Sequence, residues 1–181
     1  RGIPLLAEVE LGRRRFAGRV AAVTGTNGKS TMVKWMTEAL QAAGLKAAPA
    51  GNYGPPACRV VAEQPDLDWL VLEVSSFQLE TTQALRAEVS LCLNLLPNHL
   101  DRHGDFATYE RMKARLFAHA RPDDLCMAHE SCGARLRNLS GDHGAWHSFG
   151  TSSSAEYAYR DGRVVRGAED VADLRGTHFG N

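Results

Sequence analysis

The sequence has no apolar run approaching the roughly 20 residues that a membrane helix requires, so nothing in it is suited to insertion in a bilayer. Its formal net charge is zero, with 21 basic and 21 acidic residues, which removes the electrostatic case for nucleic acid or an anionic membrane as partner. The four cysteines, Cys58, Cys92, Cys126 and Cys132, form no C-x-x-C pair, which excludes the usual structural zinc pattern. Cys92 and Cys126 lie within apolar runs and read as buried free thiols of a reducing, cytoplasmic compartment. Arg1-Gly2-Ile3-Pro4 carries no initiator methionine and no signal-peptide organisation, a start that reads as cut from a longer chain. No internal repeat or disordered tract stands out. What remains is an ordinary globular chain of 181 residues, 44% hydrophobic and 23% charged, long enough for one domain with a full core.

Punctuation by glycine and proline divides it. Residues 1–18 mix apolar and arginine-rich stretches and read as a connector into the first core strand, 19–24. A helix over 29–43 is stopped by Gly44, and 45–50 is a weak strand closed by Gly51-Asn52-Tyr53-Gly54-Pro55-Pro56. A short helix over 57–63, a buried strand over 69–74 and a turn or helix at 75–80 follow. A strand over 89–95 leads into the polar loop 98–104, then a helix over 105–120 capped by Asp105, then a strand over 125–128. Alternation of strands and helices predicts an α/β fold with a mostly parallel, doubly wound sheet. After about residue 140, the short runs 146–149, 157–159 and 164–165, broken by Thr151–Ser154 and Asp161-Gly162, predict a small antiparallel annex.

Polar clusters fall at four strand ends: Gly25–Thr31, Gly51–Gly54, Glu73–Ser76 and Asn98–His103. Open α/β sheets bind ligands beyond the carboxyl ends of their strands, so the four clusters converge on one place. In the first, Gly25-Thr26-Asn27-Gly28-Lys29-Ser30-Thr31 joins a strand to a helix start, where unpartnered N–H groups and the helix dipole favour a phosphate. Lys29 can reach outer phosphates and Ser30 can offer a hydroxyl to Mg2+. The general phosphate loop has a glycine five positions before its Gly-Lys pair, and Val23 stands there instead. Glu73 ends a strand suited to burial on both faces, and a buried carboxylate needs a partner or a metal; otherwise it simply reaches water. His99 can ligate metal through neutral imidazole, although either it or His103 taken alone is more often a surface or hydrogen-bonding histidine. His143 and His147 read as structural or solvent-facing. Tyr109 and Lys113 share a helix face, and composition alone leaves Lys113 a solvated lysine.

These clusters, in this order, resemble the central ATP-binding domain of the Mur ligase family over nearly the whole chain. Gly25–Thr31 resembles the family's phosphate loop, including the departure at Val23. Leu72-Glu73-Val74-Ser75-Ser76-Phe77-Gln78-Leu79-Glu80 is most similar to the branch that adds D-glutamate. Asn94-Leu95, His99-Leu100-Asp101-Arg102-His103 and Tyr109-x-x-x-Lys113 resemble the family's metal-histidine and lysine segment. The resemblance implies that ATP phosphorylates the terminal carboxylate of UDP-N-acetylmuramoyl-L-alanine, that the amine of D-glutamate attacks the acyl phosphate, and that peptidoglycan precursor synthesis is the setting. It further implies that Gly25 to Thr31 bind ATP, with Lys29 on the outer phosphates. Ser30 and Glu73 would hold one Mg2+, His99 a second, and Asn52 and Ser75 the acceptor substrate or the metal's waters. Lys113 matches the lysine that takes up CO2 as a carbamate, through which it too would serve a metal. Lys29, Glu73, His99 and Lys113 are thereby the implied catalytic set.

Asn98 stands where the family usually has an acid before the histidine, and Phe179 replaces the asparagine of a His-Asn pair near the adenine, with Asn181 the candidate for a later contact. The resemblance divides the chain into a connector, 1–18, from a missing N-terminal domain and a central domain, 19–181, whose C-terminal domain is also missing. An isolated central domain would bind ATP and ligate little or nothing. Two other readings stay open: a sibling Mur or folylpolyglutamate-type ligase, and a nucleotide-binding module without catalysis.

Overall fold

The computed structural model describes residues 5–176. Its order is α1 (Glu8–Arg15), β1 (Arg19–Thr24), α2 (Lys29–Ala42), β2 (Ala47–Gly51), α3 (Ala57–Glu63), β3 (Trp69–Glu73), α4 (Ser76–Glu80) and β4 (Val89–Cys92). There follow α5 (Leu100–His103), α6 (Phe106–Ala114) with a 3-10 turn (Arg115–Phe117), β5 (Leu125–His129), α7 (Gly133–Ser140), β6 (Ala145–Gly150), β7 (Tyr157–Arg160), β8 (Arg163–Arg166) and β9 (Glu169–Asp173). Among the described residues the strands form one nine-stranded sheet in the order β2-β3-β1-β4-β5-β6-β7-β8-β9.

The inner strands are apolar without alternation because both faces are covered. In β1 every residue after Arg19 is buried. Side chains still alternate by face: Val20, Ala22, Leu70 and Leu72 join Phe117 and Leu136 in one cluster, while Ala21, Val23 and Val71 join Val33 in another, against which Met32, Met36 and Leu40 of α2 also pack. The strand order reverses beside β1, which pairs in parallel with β3 on one side and β4 on the other. A crevice opens at such a switch point, and the glycine turn after β1 feeds directly into it.

The parallel α/β fold is as predicted, with differences that have physical causes. Within the segment read as a connector, α1 lies on α3, and Val9 and Phe16 are part of the core. Its carboxylate Glu10 is fully buried, accepting from the N–H groups of Gln83 (2.6 Å) and Ala84 (3.0 Å) and pairing with Arg14. The predicted antiparallel annex begins later than expected. β6 pairs in parallel with β5, with Cys126 opposite Trp146, and β7 is parallel to β6; only β7–β8 and β8–β9 are antiparallel. Asp161 and Gly162 both take positive φ, 48° and 77°, the geometry a tight two-residue hairpin needs.

Helix α7 and strand β9 were not foreseen. α7 buries only Leu136, and β9 is exposed along nearly its whole length, so neither leaves a strong apolar pattern. The predicted 105–120 helix closes into the 3-10 turn after Ala114, and the predicted 89–95 strand ends at Cys92.

Candidate active site

The turn after β1 is built by conformation first. Gly28 caps α2 at φ 83°, a left-handed conformation that favours glycine. The N–H groups of Gly28, Lys29, Ser30 and Thr31 meet no acceptor among the described residues, so the start of α2 is a set of open donors. Lys29 folds back over the turn, its Nζ donating to the carbonyls of Gly25 and Thr26 at 2.9 Å each.

Opposite the turn, β3 delivers Glu73 into the crevice only 2% exposed. Its Oε2 accepts from Ser30 Oγ and its Oε1 from Asn52 Nδ2, each at 2.7 Å. Asn52 is aimed by Gly51, whose positive φ of 97° and contact with Glu73 leave no room for a side chain: a Cβ there would stand 2.4 Å from the Glu73 carbonyl oxygen. The neighbouring Asn52 N–H bonds that same carbonyl at 3.0 Å. Ser75 caps α4 in a reciprocal capping box with Gln78.

α6 supplies the third wall. Asp105 caps it by accepting from Thr108 N, and Tyr109 and Lys113 both turn inward. Lys113 is 2% exposed; its Nζ donates to Thr24 Oγ1 at 3.1 Å and lies 4.9 Å from the centre of the Tyr109 ring. Burial, the largest influence, lowers its pKa to about 8 against the opposing pull of Cys92, and the Lys29 charge lowers it further. The Tyr109 hydroxyl pairs with Thr26 Oγ1 at 3.0 Å, tying α6 to the phosphate turn.

His99 occupies a left-handed position (φ 53°) at the start of α5, exposed, its N–H held by Asn98 Oδ1 at 2.9 Å and its ring 4.9 Å from that of Phe77. His103 is buried instead, between Ser76 Oγ (3.0 Å) and Glu80 (3.4 Å). Gly25, Lys29, Asn52, Ser75, His99 and Lys113 line one cleft of about 120 Å³. The structure therefore gathers residues from all four predicted clusters. Asn181 lies outside the described residues, as does Phe179. His147 pairs with Glu156 at 2.7 Å away from the cleft, and all four cysteines are free, Cys58 being the only one not buried.

Sequence reading missed Asn94 and Thr24 as site residues. Asn94 was absorbed into the predicted strand 89–95, although a polar residue ending an apolar strand beside β1 is a signal of the same kind as Glu73. Thr24 gives none, because a hydroxyl at a buried strand end is common.

Among the described residues no three His, Cys, Asp or Glu side chains converge on a metal centre of their own. What the start of α2 and the end of β3 offer beside the cleft is an oxygen pair, Ser30 Oγ and Glu73 Oε2, 2.7 Å apart. That separation is close to the ~3 Å edge of a Mg2+ octahedron, whose remaining ligands are ordinarily phosphates and water. Open N–H groups at a helix start, a lysine above them and a hydroxyl–carboxylate pair beside them define a phosphate-loop α/β domain.

Comparison with known proteins gives the particular kind. The Mur ligase middle domain matches residues 23–175, and the chain belongs to the Mur ligase family. A UDP-N-acetylmuramoylalanine--D-glutamate ligase of Koribacter versatilis is 37% identical over 189 residues, covering 98% of this chain and 42% of that protein. The enzyme of the same name from Acidobacterium capsulatum is 36% identical over 174 residues, covering 94% and 38%. The chain thus spans about two fifths of the length of these relatives. Among solved structures, Escherichia coli FolC in complex with DHPP and ADP superposes with a TM-score of 0.66 at 18% identity, covering 96% of this chain and 54% of that one. The MurF ligase of Thermotoga maritima in complex with ADP gives 0.64 at 18% identity, covering 86% and 40%. At that identity the likeness establishes the shared fold.

Proposed function

We propose that this chain is the ATP-binding part of a cytoplasmic ligase that adds D-glutamate to UDP-N-acetylmuramoyl-L-alanine through an acyl phosphate. The observation that carries the reading is the buried Glu73, held between Ser30 of the phosphate turn and Asn52 of the neighbouring strand end, with Lys113 buried in the cleft that Asn52 and Lys29 also line. The D-glutamate assignment is supported by the names of the relatives, two of which align over more than nine tenths of the chain.

In this reading the N–H groups of Gly28 to Thr31 hold the phosphates of ATP. Lys29 exchanges the carbonyls of Gly25 and Thr26 for the outer phosphates. Glu73 and Ser30 would hold Mg2+ in place of their mutual hydrogen bond, and the ion would supply charge neutralisation for the transferring phosphoryl group. Asn52 keeps Glu73 oriented, and Asn52 and Ser75 face the acceptor. His99, exposed on the cleft rim, serves a second metal position.

Lys113 acts as its carbamate. Formation requires a neutral amine, since the nitrogen lone pair adds to the carbon of CO2 and one N–H proton leaves. A pKa of about 8 makes that form accessible near neutral pH. The carbamate replaces a buried cation by oxygen ligands. Positioning and fixed charge do the catalytic work, and the flanking domains of the longer protein supply the UDP and amino-acid contacts.

The test is ADP release by the full-length protein given UDP-N-acetylmuramoyl-L-alanine and ATP, with D-glutamate, L-glutamate, L-lysine or diaminopimelate offered in turn. D-glutamate alone is expected to drive turnover; turnover with another amine and none with D-glutamate sinks the assignment. In the same assay Glu73→Gln is expected to lose at least 100-fold in rate. A pure binding module would show no amine-dependent turnover at all.

A further inference from the structure

Six consecutive N–H groups, from Thr26 to Thr31, surround the phosphate turn, and they do not all face the same way. Those of Thr26 and Asn27 are already taken. Both donate to one atom, Asn94 Oδ1, at 3.0 and 2.9 Å, and the Thr26 N–H also reaches the Asn94 carbonyl at 3.1 Å. The same side chain returns a bond, Asn94 Nδ2 donating to the Asn27 carbonyl at 3.1 Å. An amide is the side chain that can do both at once, accepting from two N–H groups and donating to a carbonyl. Asn94 sits just beyond β4, beside the Leu93 N–H that bonds the Thr24 carbonyl at 3.1 Å, so it reaches the turn from a fixed neighbouring strand.

We propose that Asn94 is the positioning residue of the phosphate turn: it draws the Thr26 and Asn27 donors away from the cleft and leaves Gly28 to Thr31 free for phosphate. The inference rests on the nucleotide-binding reading above. Without this clamp the turn keeps its glycines, the Thr26 N–H bond to the Asn94 main-chain carbonyl and the Tyr109 contact, but Asn27 loses the side-chain bonds to both its N–H and its carbonyl. The four open N–H groups then have to be ordered by the ligand itself, and the entropy of that ordering is lost from binding. Asn94 does not touch the phosphates; it acts through Thr26 and Asn27.

The experiment compares the wild-type chain with Asn94→Ala and Asn94→Asp. Aspartate keeps the acceptor but turns the Nδ2 donor into a second oxygen facing the Asn27 carbonyl. Unfolding temperature without ligand identifies which variants fold, and calorimetry gives the dissociation constants for Mg-ATP and Mg-tripolyphosphate. At least one folded variant is expected to bind both probes at least tenfold more weakly, with hydrogen exchange at the Asn27 amide, whose bond is to the Asn94 side chain, at least tenfold faster. Equal weakening of the two probes places the effect on the phosphates, which a general loosening of the fold would not single out.

Wild-type binding of Mg-ATP with every folded variant within twofold of it overturns the proposal alone. Failure of the wild type to bind either probe overturns the nucleotide reading and the proposal with it. Should neither variant fold, unprotected Thr26 and Asn27 amides in the wild type overturn the proposal, and strong protection there beside rapid exchange at Gly28 to Thr31 upholds it.

Discussion

Lys113 is the residue at which burial and charge are most directly opposed. Its amine has been moved from water into a site where its neighbours are a threonine hydroxyl and an aromatic face, and its pKa drops from 10.5 to about 8. A lysine depressed in this way binds fewer protons folded than unfolded between those two values, so the stability of the chain rises as pH climbs from about 8 to 10.5. Below about 8 both states are protonated and the cost of burying the cation is felt in full. Lys113→Met removes the charge at similar volume. It is expected to stabilise the chain at pH 7 by about 1–3 kcal/mol and to flatten the pH dependence, measured by urea unfolding at pH 7 and 9.5. A variant less stable than wild type at pH 7 contradicts the account. The motif around Lys113 was legible in the sequence through its resemblance, but its burial was not: a lysine between Met112 and Ala114 reads equally as a solvated one until α6 is seen docked on the sheet. Asn94 was visible as part of the resembling segment, but its role at the turn was not, since its partners lie 67 and 68 residues away in sequence and only the pairing of β4 with β1 brings them together.

Among the elements, α4 shows how a helix too short to stand alone is held in place. It has five residues, Ser76–Glu80, far fewer than a helix needs for independent stability, and is held by its cap and by what it buries. The Ser75 hydroxyl accepts from Gln78 N, and the Gln78 side chain returns a bond to Ser75 N at 2.9 Å. Leu79 is fully buried beneath it. Ser75→Ala is expected to cost about 1 kcal/mol of stability, with Ser75→Asp recovering most of it, as read by denaturant midpoint. A cost below about 0.3 kcal/mol for the alanine variant would falsify the capping account. Capping signals of this kind are local, which is why Ser75–Glu80 and the Asp105 cap were anticipated from sequence. β6 was misplaced because Trp146-His147-Ser148-Phe149 carries the alternation of a half-exposed strand. Nothing in those four residues states that β5 will be a parallel neighbour; that comes from α7, which crosses between them with a single buried leucine.

For the molecule as a whole, the boundary of the folded unit is the point most open to measurement. If α1 belongs to the core, Phe16→Ala should cost about 3–5 kcal/mol, because its ring is 5% exposed and packed in the larger core cluster. A cost under about 0.5 kcal/mol, the size of an ordinary surface substitution, would give α1 the role of a tether. The sequence predicted the sheet class and the four-cluster convergence because strand ends and glycine turns are written locally. The reach of the core back to Val9 was not, since it depends on α3 offering a surface that Gly12 can approach: a Cβ at Gly12 would lie 2.8 Å from the Ala57 Cβ.

The two ends of the sheet have one more consequence. Any open sheet presents unpaired backbone donors and acceptors along its outermost strands, where a second molecule can add a strand of its own. At one end β2 carries Pro49, which has no N–H to give and is confined to edges for that reason. At the other, β9 reads Glu-Asp-Val-Ala-Asp, an exposed edge strand rich in acidic side chains rather than apolar ones. Among the described residues, both margins of the nine-stranded sheet are therefore poor templates for a further strand, and the crevice beside β1 lies well inside them.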